Sequence, residues 1–387
     1  MKIDTLKNLL EIDKRQELYE QLLNQFKRFE KLPFVSYKTL DTSEGLIPSL
    51  KISNHQKDDL KFVKIFIGAQ HNEYNGLFGI LEFFQKLDAD LIDINEILLK
   101  NQMLLFFPLM NPYGFLNPSR NNKSGYYLKN GTNLNRYWRR TFVPEYQNTQ
   151  DDLSDYPIPP HSEAIKKVIK NIWKNENISI YFMDFHETSL LYRFPKELSL
   201  HLNTQSFTYK FDHWLKEAII KNIITLYNLP FHRKPLFQKC SLNADHSHLQ
   251  LSIKQIEIIH EKLLEFVVKN KEKLPFYFCY SNKSKEFCER LATKVCDNFK
   301  KKGILWDTTF PAVSHYHDHG CLVMMSDATN RKKVYALELE SQKHFFDIFD
   351  EIKKSKTGAN YFQDKLKLIN FSLDLATETI KVMVKLF

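Results

Sequence analysis

Two apolar runs, KFVKIFIG (residues 61–68) and MLLFFPLM (103–110), flank a segment from about Gly76 to Leu87 whose apolar residues recur at helical spacing. Each run has the length of one buried strand, and strand, helix, strand in succession predicts a parallel sheet covered by helices. The order recurs further on: a helical stretch from Ser162 to Lys174 leads into ISIYFMDFH (178–186), and KKVYALELES (332–341) reads as a later strand. Both later runs turn from apolar to polar at their carboxyl ends. In open α/β sheets that edge is where ligands bind.

The remaining chain is organised around this unit. Leu6, Leu9, Leu10, Ile12, Leu18, Leu22, Leu23 and Phe26 predict an amphipathic helical segment over residues 1–30, and short strand-like runs follow at 34–40 and 46–52. The rest, 31–387, reads as one domain carrying a helix-rich insertion or subdomain over about 195–302, with two closing helices over 343–387. The formal charge of +9 is spread among acidic residues and forms no basic block, which argues against a nucleic-acid partner. Five cysteines without a CxxC pair argue against a disulfide framework or a cysteine zinc site. The first thirty residues lack the apolar core of a signal peptide, and no run approaches the ~20 apolar residues of a membrane span. The expectation is a cytoplasmic protein with no membrane partner.

Three stretches carry side chains suited to metal and carboxylate chemistry. GAQHNEYNG places Gln70, His71 and Glu73 in a strand-to-helix turn, and FMDFHET places His186 at the end of another strand. A pair of ligands close in sequence and a third from far along the chain is how a catalytic zinc site is commonly built. NPYGFLNPSRNNKSGYYLKNGTNLNRYWRR (111–140) adds Arg120 and Arg136 on a loop rich in Asn and Gly, and guanidinium groups suit carboxylate binding and oxyanion stabilisation. A general base should be a carboxylate at a strand end. Glu338 and Glu340 both qualify and alternate onto one face, so periodicity does not separate them.

Taken in order, these stretches resemble the zinc carboxypeptidase family, the carboxypeptidase A-like metallopeptidases. The family's G-x-H-x-x-E-x-x-G, N-P-x-G-F, R-x-N-x-x-G, D-L-N-R and D-x-H are matched by Gly68 to Gly76, Asn111 to Phe115, Arg120 to Gly125, Asn133 to Arg136 and Asp184 to His186. The resemblance covers about residues 30–190 and 310–345. It implies a mixed, mostly parallel central sheet flanked by helices, one Zn2+ per chain held in part by Glu73 and His186, and a substrate carboxylate gripped by Asn135 and Arg136. It implies further that Arg120 polarises the scissile carbonyl and that Glu340 is the base, with Glu338 where a Thr is usual. Tyr316 matches the family's mobile tyrosine, and Asp327 is a candidate for the specificity pocket. The three histidines of HYHDHG (315–320) read as an exposed loop.

Two departures bear on the metal. Gln70 stands where the family has its first histidine ligand, with His71 one residue late, and Asn133 replaces the aspartate that supports that histidine. A glutamine there resembles the peptidoglycan carboxypeptidases of helical bacteria, which hold zinc with Gln, Glu and His. Gln70 is therefore preferred to His71 as the first ligand, with Asn133 expected to support its amide. The function expected is hydrolysis of a C-terminal amide bond in a peptide with a free carboxylate, a peptidoglycan-derived peptide being the favoured class. A zinc amidohydrolase acting on an N-acyl amino acid or a side-chain amide, and a non-catalytic carboxylate-binding protein that has lost zinc, are the alternatives.

Overall fold

A computed structural model describes residues 1–53, 60–98, 101–118, 125–143, 157–188, 276–302, 321–342, 345 and 360–386, and the backbone course of 207–212, 237–239, 246–251 and 313–315. The strands are β1 (Val35–Thr42), β2 (Gly45–Ser53), β3 (Phe62–Ile67), β4 (Gln102–Phe107), β5 (Ser179–Thr188), β6 (Phe207–Asp212), β7 (Phe237–Lys239), β8 (His246–Leu251), β9 (Tyr277–Tyr280), β10 (Val313–His315) and β11 (Val334–Gln342). The longer helices are α1 (Ile3–Leu10), α2 (Arg15–Arg28), α3 (Asn75–Asp88), α4 (Pro160–Val168), α5 (Lys285–Lys301), α6 (Leu322–Ala328) and α7 (Tyr361–Lys385).

The main sheet runs β1-β2-β4-β3-β5-β11-β9-β10. Its centre, β4-β3-β5-β11, is parallel, while β1, β2 and β4 pair antiparallel and β9 runs antiparallel to β11. The expected α/β fold with a mixed, mostly parallel sheet is what the chain adopts. Because the four central strands share a direction, their carboxyl ends meet at one edge.

Alternation along each central strand feeds two cores, one on each face of the sheet. Val63, Ile65, Leu105, Phe107, Ile180, Phe182, Val334 and Ala336 face one core with Trp138 and Ile165; Phe66, Leu104, Phe106, Met183, Phe185, Leu337 and Leu339 face the other. The second core also takes α1 and α2 through Leu6, Leu9, Leu18, Leu22 and Phe26, together with α3, α5 and α7. Residues 276–301, placed by periodicity in the insertion, belong to this main body: Phe278 and Leu291 are core residues and β9 is a strand of the main sheet. Among the described residues between 195 and 275, β6, β7 and β8 form an antiparallel sheet in the order β6-β8-β7. Among the described residues no helix is long and apolar enough to cross a membrane.

At the edge where β3 ends, Gly68 lies against the start of α3. A Cβ on Gly68 would meet the backbone of Gly76 and Leu77 at 2.8–2.9 Å, and one on Gly76 would meet Phe185 Cβ at 2.5 Å. Only glycine at both positions lets the helix start this close to the strand. The first turn of α3 has no side-chain cap of its own; the Glu187 carboxylate on β5 accepts the Asn75 N–H at 2.8 Å instead.

Candidate metal centre

β5 and β11 are parallel neighbours in register, Asp184 beside Glu338 and His186 beside Glu340. The strand period of two that sends Ile180 and Phe182 into one core sends Asp184 and His186 to the same face, and Val334 and Ala336 carry Glu338 and Glu340 there likewise. The third contribution is the turn after β3. Ala69 sits in the left-handed region at φ 46°, a conformation costly for a residue with a Cβ, and the Met110 and Asn111 N–H groups tie the carbonyls of Gly68 and Ala69 to the chain leaving β4. This kink changes which side chain faces the sheet end.

His71 is the one that does. Its Nδ1 lies 3.4 Å from Glu73 Oε2, and the same carboxylate oxygen is 2.8 Å from His186 Nδ1. The potential ligand atoms of His71, Glu73 and His186 all lie within 4.8 Å of one another, and all three residues are buried. Behind His71, Nε2 is 2.7 Å from Asn133 Oδ1. That oxygen also accepts the Asn135 N–H at 2.8 Å, so it is an acceptor and the facing His71 Nε2 carries the proton. The phenol ring of Tyr126 lies flat on His71, with centroids 4.2 Å apart and planes 8° apart, and Asn133 Nδ2 donates to its hydroxyl at 3.3 Å.

Gln70 is placed differently. Its Oε1 accepts the Trp138 indole N–H at 2.7 Å, and its Nε2 donates to Asp184 Oδ2. Asp184 Oδ2 in turn is 3.0 Å from His186 Nε2. Both ends of the amide are engaged, and Asn133 supports His71 and not Gln70. Under regular alternation a one-residue shift would turn the side chain of His71 away; the left-handed Ala69 breaks that alternation.

The second pair of carboxylates closes the group. Glu338 is 1% exposed, with Oε2 3.8 Å from His186 Nε2, and it shares a side-chain hydrogen bond with Glu340, which is half-buried. Burial, then the charge of Asp184, raises the pKa of Glu338; burial, then the charge of Glu338, raises that of Glu340. Burial opposes a charge on His186, but Asp184 and Glu338, with hydrogen bonds to Asp184 and Glu73, outweigh it and raise its pKa well above the usual value. Burial and the charge on Glu73 raise the Tyr126 pKa, so the phenol keeps its proton.

The other predicted residues divide. Asn135 is buried with Nδ2 3.4 Å from His186 Nε2, and Arg136 adjoins it, half-buried. Asp327 accepts the Asn282 and Lys283 N–H groups at 2.9 and 3.0 Å, which fixes the turn before α5. Arg120 and Tyr316 lie outside the described residues, as do residues 316–320 of HYHDHG. Tyr126 and Trp138 escaped the sequence reading. Their signal was aromatic residues flanking the NLNR stretch, indistinguishable there from core residues.

No family model matches the chain, and no curated protein does. Among solved structures, it is similar to a metallo-carboxypeptidase from Burkholderia cenocepacia (14% identity, 95% of this chain and 68% of the other, TM-score 0.47). It is similar also to a metallo-carboxypeptidase from Pseudomonas aeruginosa in complex with (2-guanidinoethylmercapto)succinic acid (12%, 95% and 68%, TM-score 0.46). The carboxypeptidase A from Helicoverpa armigera gives 14% identity, 92% and 72% coverage and a TM-score of 0.42.

Proposed function

We propose that this chain is a zinc-dependent, carboxypeptidase-like hydrolase whose metal is held by His71, Glu73 and His186. One observation carries the reading: two imidazole Nδ1 atoms converge on a single carboxylate oxygen, at 3.4 and 2.8 Å, while their outer Nε2 atoms are held by Asn133 and Asp184. Outer-nitrogen hydrogen bonds of this kind are how metal-binding histidines are oriented. Three buried acceptors facing one another cost free energy unless a proton or a cation lies between them, and two nitrogens with one carboxylate suit zinc. Zinc, when bound, supplies Lewis acidity toward water and a carbonyl oxygen.

The chain's own residues supply the rest. Glu340 reaches the same strand end as His186 and is the less buried of the two glutamates, so it can exchange a proton with a water in the pocket; its raised pKa suits a group that must take and return one. Glu338, sealed under the site, lacks that access. Arg136, beside Asn135, is the candidate for gripping a substrate carboxylate, with Arg120 the candidate for the carbonyl oxygen. The substrate class is therefore a peptide or related amide ending in a free carboxylate. Preference for a peptidoglycan-derived peptide drew on Gln70 as a ligand, and it loses that support once Gln70 is bonded to Trp138 and Asp184.

Elemental analysis together with a panel of N-blocked dipeptides tests this reading. About one zinc per wild-type chain is expected, lost in His71→Ala and in His186→Ala, with cleavage of free-acid dipeptides and none of their C-terminal amides. Wild-type protein that takes up no zinc from excess metal would overturn the hydrolase in favour of a carboxylate-binding protein. Cleavage of N-acyl amino acids in preference to dipeptides would make it an amidohydrolase with the same centre.

A further inference from the structure

Gln70 occupies the first-ligand position of the sequence motif and is buried to 1% exposure, yet its amide hydrogen-bonds to Trp138 and Asp184 and to none of the proposed ligands. A buried carboxamide is retained only if its polar atoms are satisfied, and here both are satisfied by residues whose own chemistry dictates direction. The Trp138 indole is donor-only, so the atom of Gln70 facing it at 2.7 Å is the oxygen. The nitrogen then faces Asp184 Oδ2, where it can only donate. That same oxygen is 3.0 Å from His186 Nε2. With Asp184 thereby held as an acceptor, Nε2 is the nitrogen of His186 that carries the proton toward it, which leaves Nδ1, 2.8 Å from Glu73, as the nitrogen a metal would take.

We infer that Gln70 is a positioning residue for the metal: through Trp138 and Asp184 it fixes the ring plane and tautomer of His186, without touching the ion. The inference rests on the His71, Glu73 and His186 centre proposed above. It explains the one-residue shift as an exchange of roles, in which His71 takes the ligand position through the left-handed Ala69 and the residue displaced by that kink becomes the outer support of the opposite ligand. The chain of bonds has a direction, donor to acceptor from Trp138 to Gln70 to Asp184, so removing the Gln70 N–H takes away the donor that Asp184 faces.

Zinc affinity by chelator competition and the absorption spectrum of the Co2+-substituted protein test it in Gln70→Ala, Gln70→Glu and Gln70→Met. Gln70→Ala should still reach one zinc per chain at saturation, bind it about 10- to 100-fold more weakly, and keep a Co2+ spectrum of the wild-type ligand number. Gln70→Glu sets two carboxylates against each other and should weaken binding at least as much. Gln70→Met fills much of the same volume but offers no N–H to Asp184, so it should weaken binding about as much as Gln70→Ala; mere damage to packing would be repaired by it. Unchanged affinity in the Gln70 variants, or wild-type affinity in Gln70→Met, would overturn the positioning role alone. Loss of stoichiometric zinc in Gln70→Ala with retention in His71→Ala would make Gln70 a ligand and overturn it as well. A wild type that binds no zinc would remove the metal reading itself and this role with it.

Discussion

The two faces of the central sheet bury charged groups to different ends. On the face toward α3 and α7 these groups meet partners of opposite character: Lys64 donates to the Met383 and Val384 carbonyls at 2.8 Å at the end of α7, Arg15 donates to Tyr74 and to the Phe115 carbonyl at 3.1 Å, and Glu187 accepts from the start of α3. On the other face, a few ångströms through the same strands, Asp184, Glu338 and Glu340 cluster with two histidines whose inner nitrogens point at a carboxylate. Among the described residues Asp184 Oδ1 has no hydrogen-bond donor, and Glu338 faces a second carboxyl group, Glu340. The difference separates charged groups that hold the fold from charged groups gathered around the proposed metal centre. Both sets are buried, and only the pairing tells them apart.

Exchanging single groups on each face breaks or sharpens that contrast. The largest effect belongs to the site face: Glu340→Gln should lower kcat by about 10²–10⁴-fold with zinc content unchanged, and Glu338→Gln by far less. Steady-state kinetics with metal analysis decides it, and the reverse ranking would move the base to Glu338.

His161, on α4 beneath the same face, is a milder exception: it is fully buried, and neither ring nitrogen has a partner among the described residues. Burial lowers its pKa from 6.5 to about 4. A histidine whose folded pKa is depressed contributes nothing adverse above the unfolded value, and stability is lost as pH falls from about 6.5 through about 4, because the unfolded chain binds the proton first. The loss amounts to about 3 kcal/mol at its limit. Urea unfolding of wild type and His161→Leu across this range should show the wild-type loss reduced in the variant and no penalty at pH 7; parallel curves would show that His161 does not titrate as its burial dictates.

The smallest effect is expected on the satisfied face. Lys64→Met removes the donor that caps α7 and should cost about 1–2 kcal/mol in thermal or urea unfolding, leaving zinc content untouched. A loss of zinc in that variant would mean that the two faces are not independent.

Much of this was legible from residue order. The strands at 62–67, 102–107 and 179–188, the helix between the first two, and the gathering of polar residues at their carboxyl ends all follow from the period of the apolar positions. Glu73, His186 and Glu340 followed from motif spacing, and the structure brings them to one edge. The place of β9 was not legible: its apolar residues read like those of any short strand, and nothing local says that it pairs with β11 in the main sheet.

The sequence by itself determined the α/β layering and which strand ends would carry histidine and carboxylate side chains, because a side chain's face is set by a two-residue period that needs no knowledge of distant neighbours. Tertiary structure alone decided which of two adjacent side chains, Gln70 or His71, turns toward Glu73. That choice depends on the left-handed Ala69, on the Trp138 indole that claims the Gln70 oxygen, and on Asn133 behind His71, which come together only once chain segments some sixty residues apart have packed.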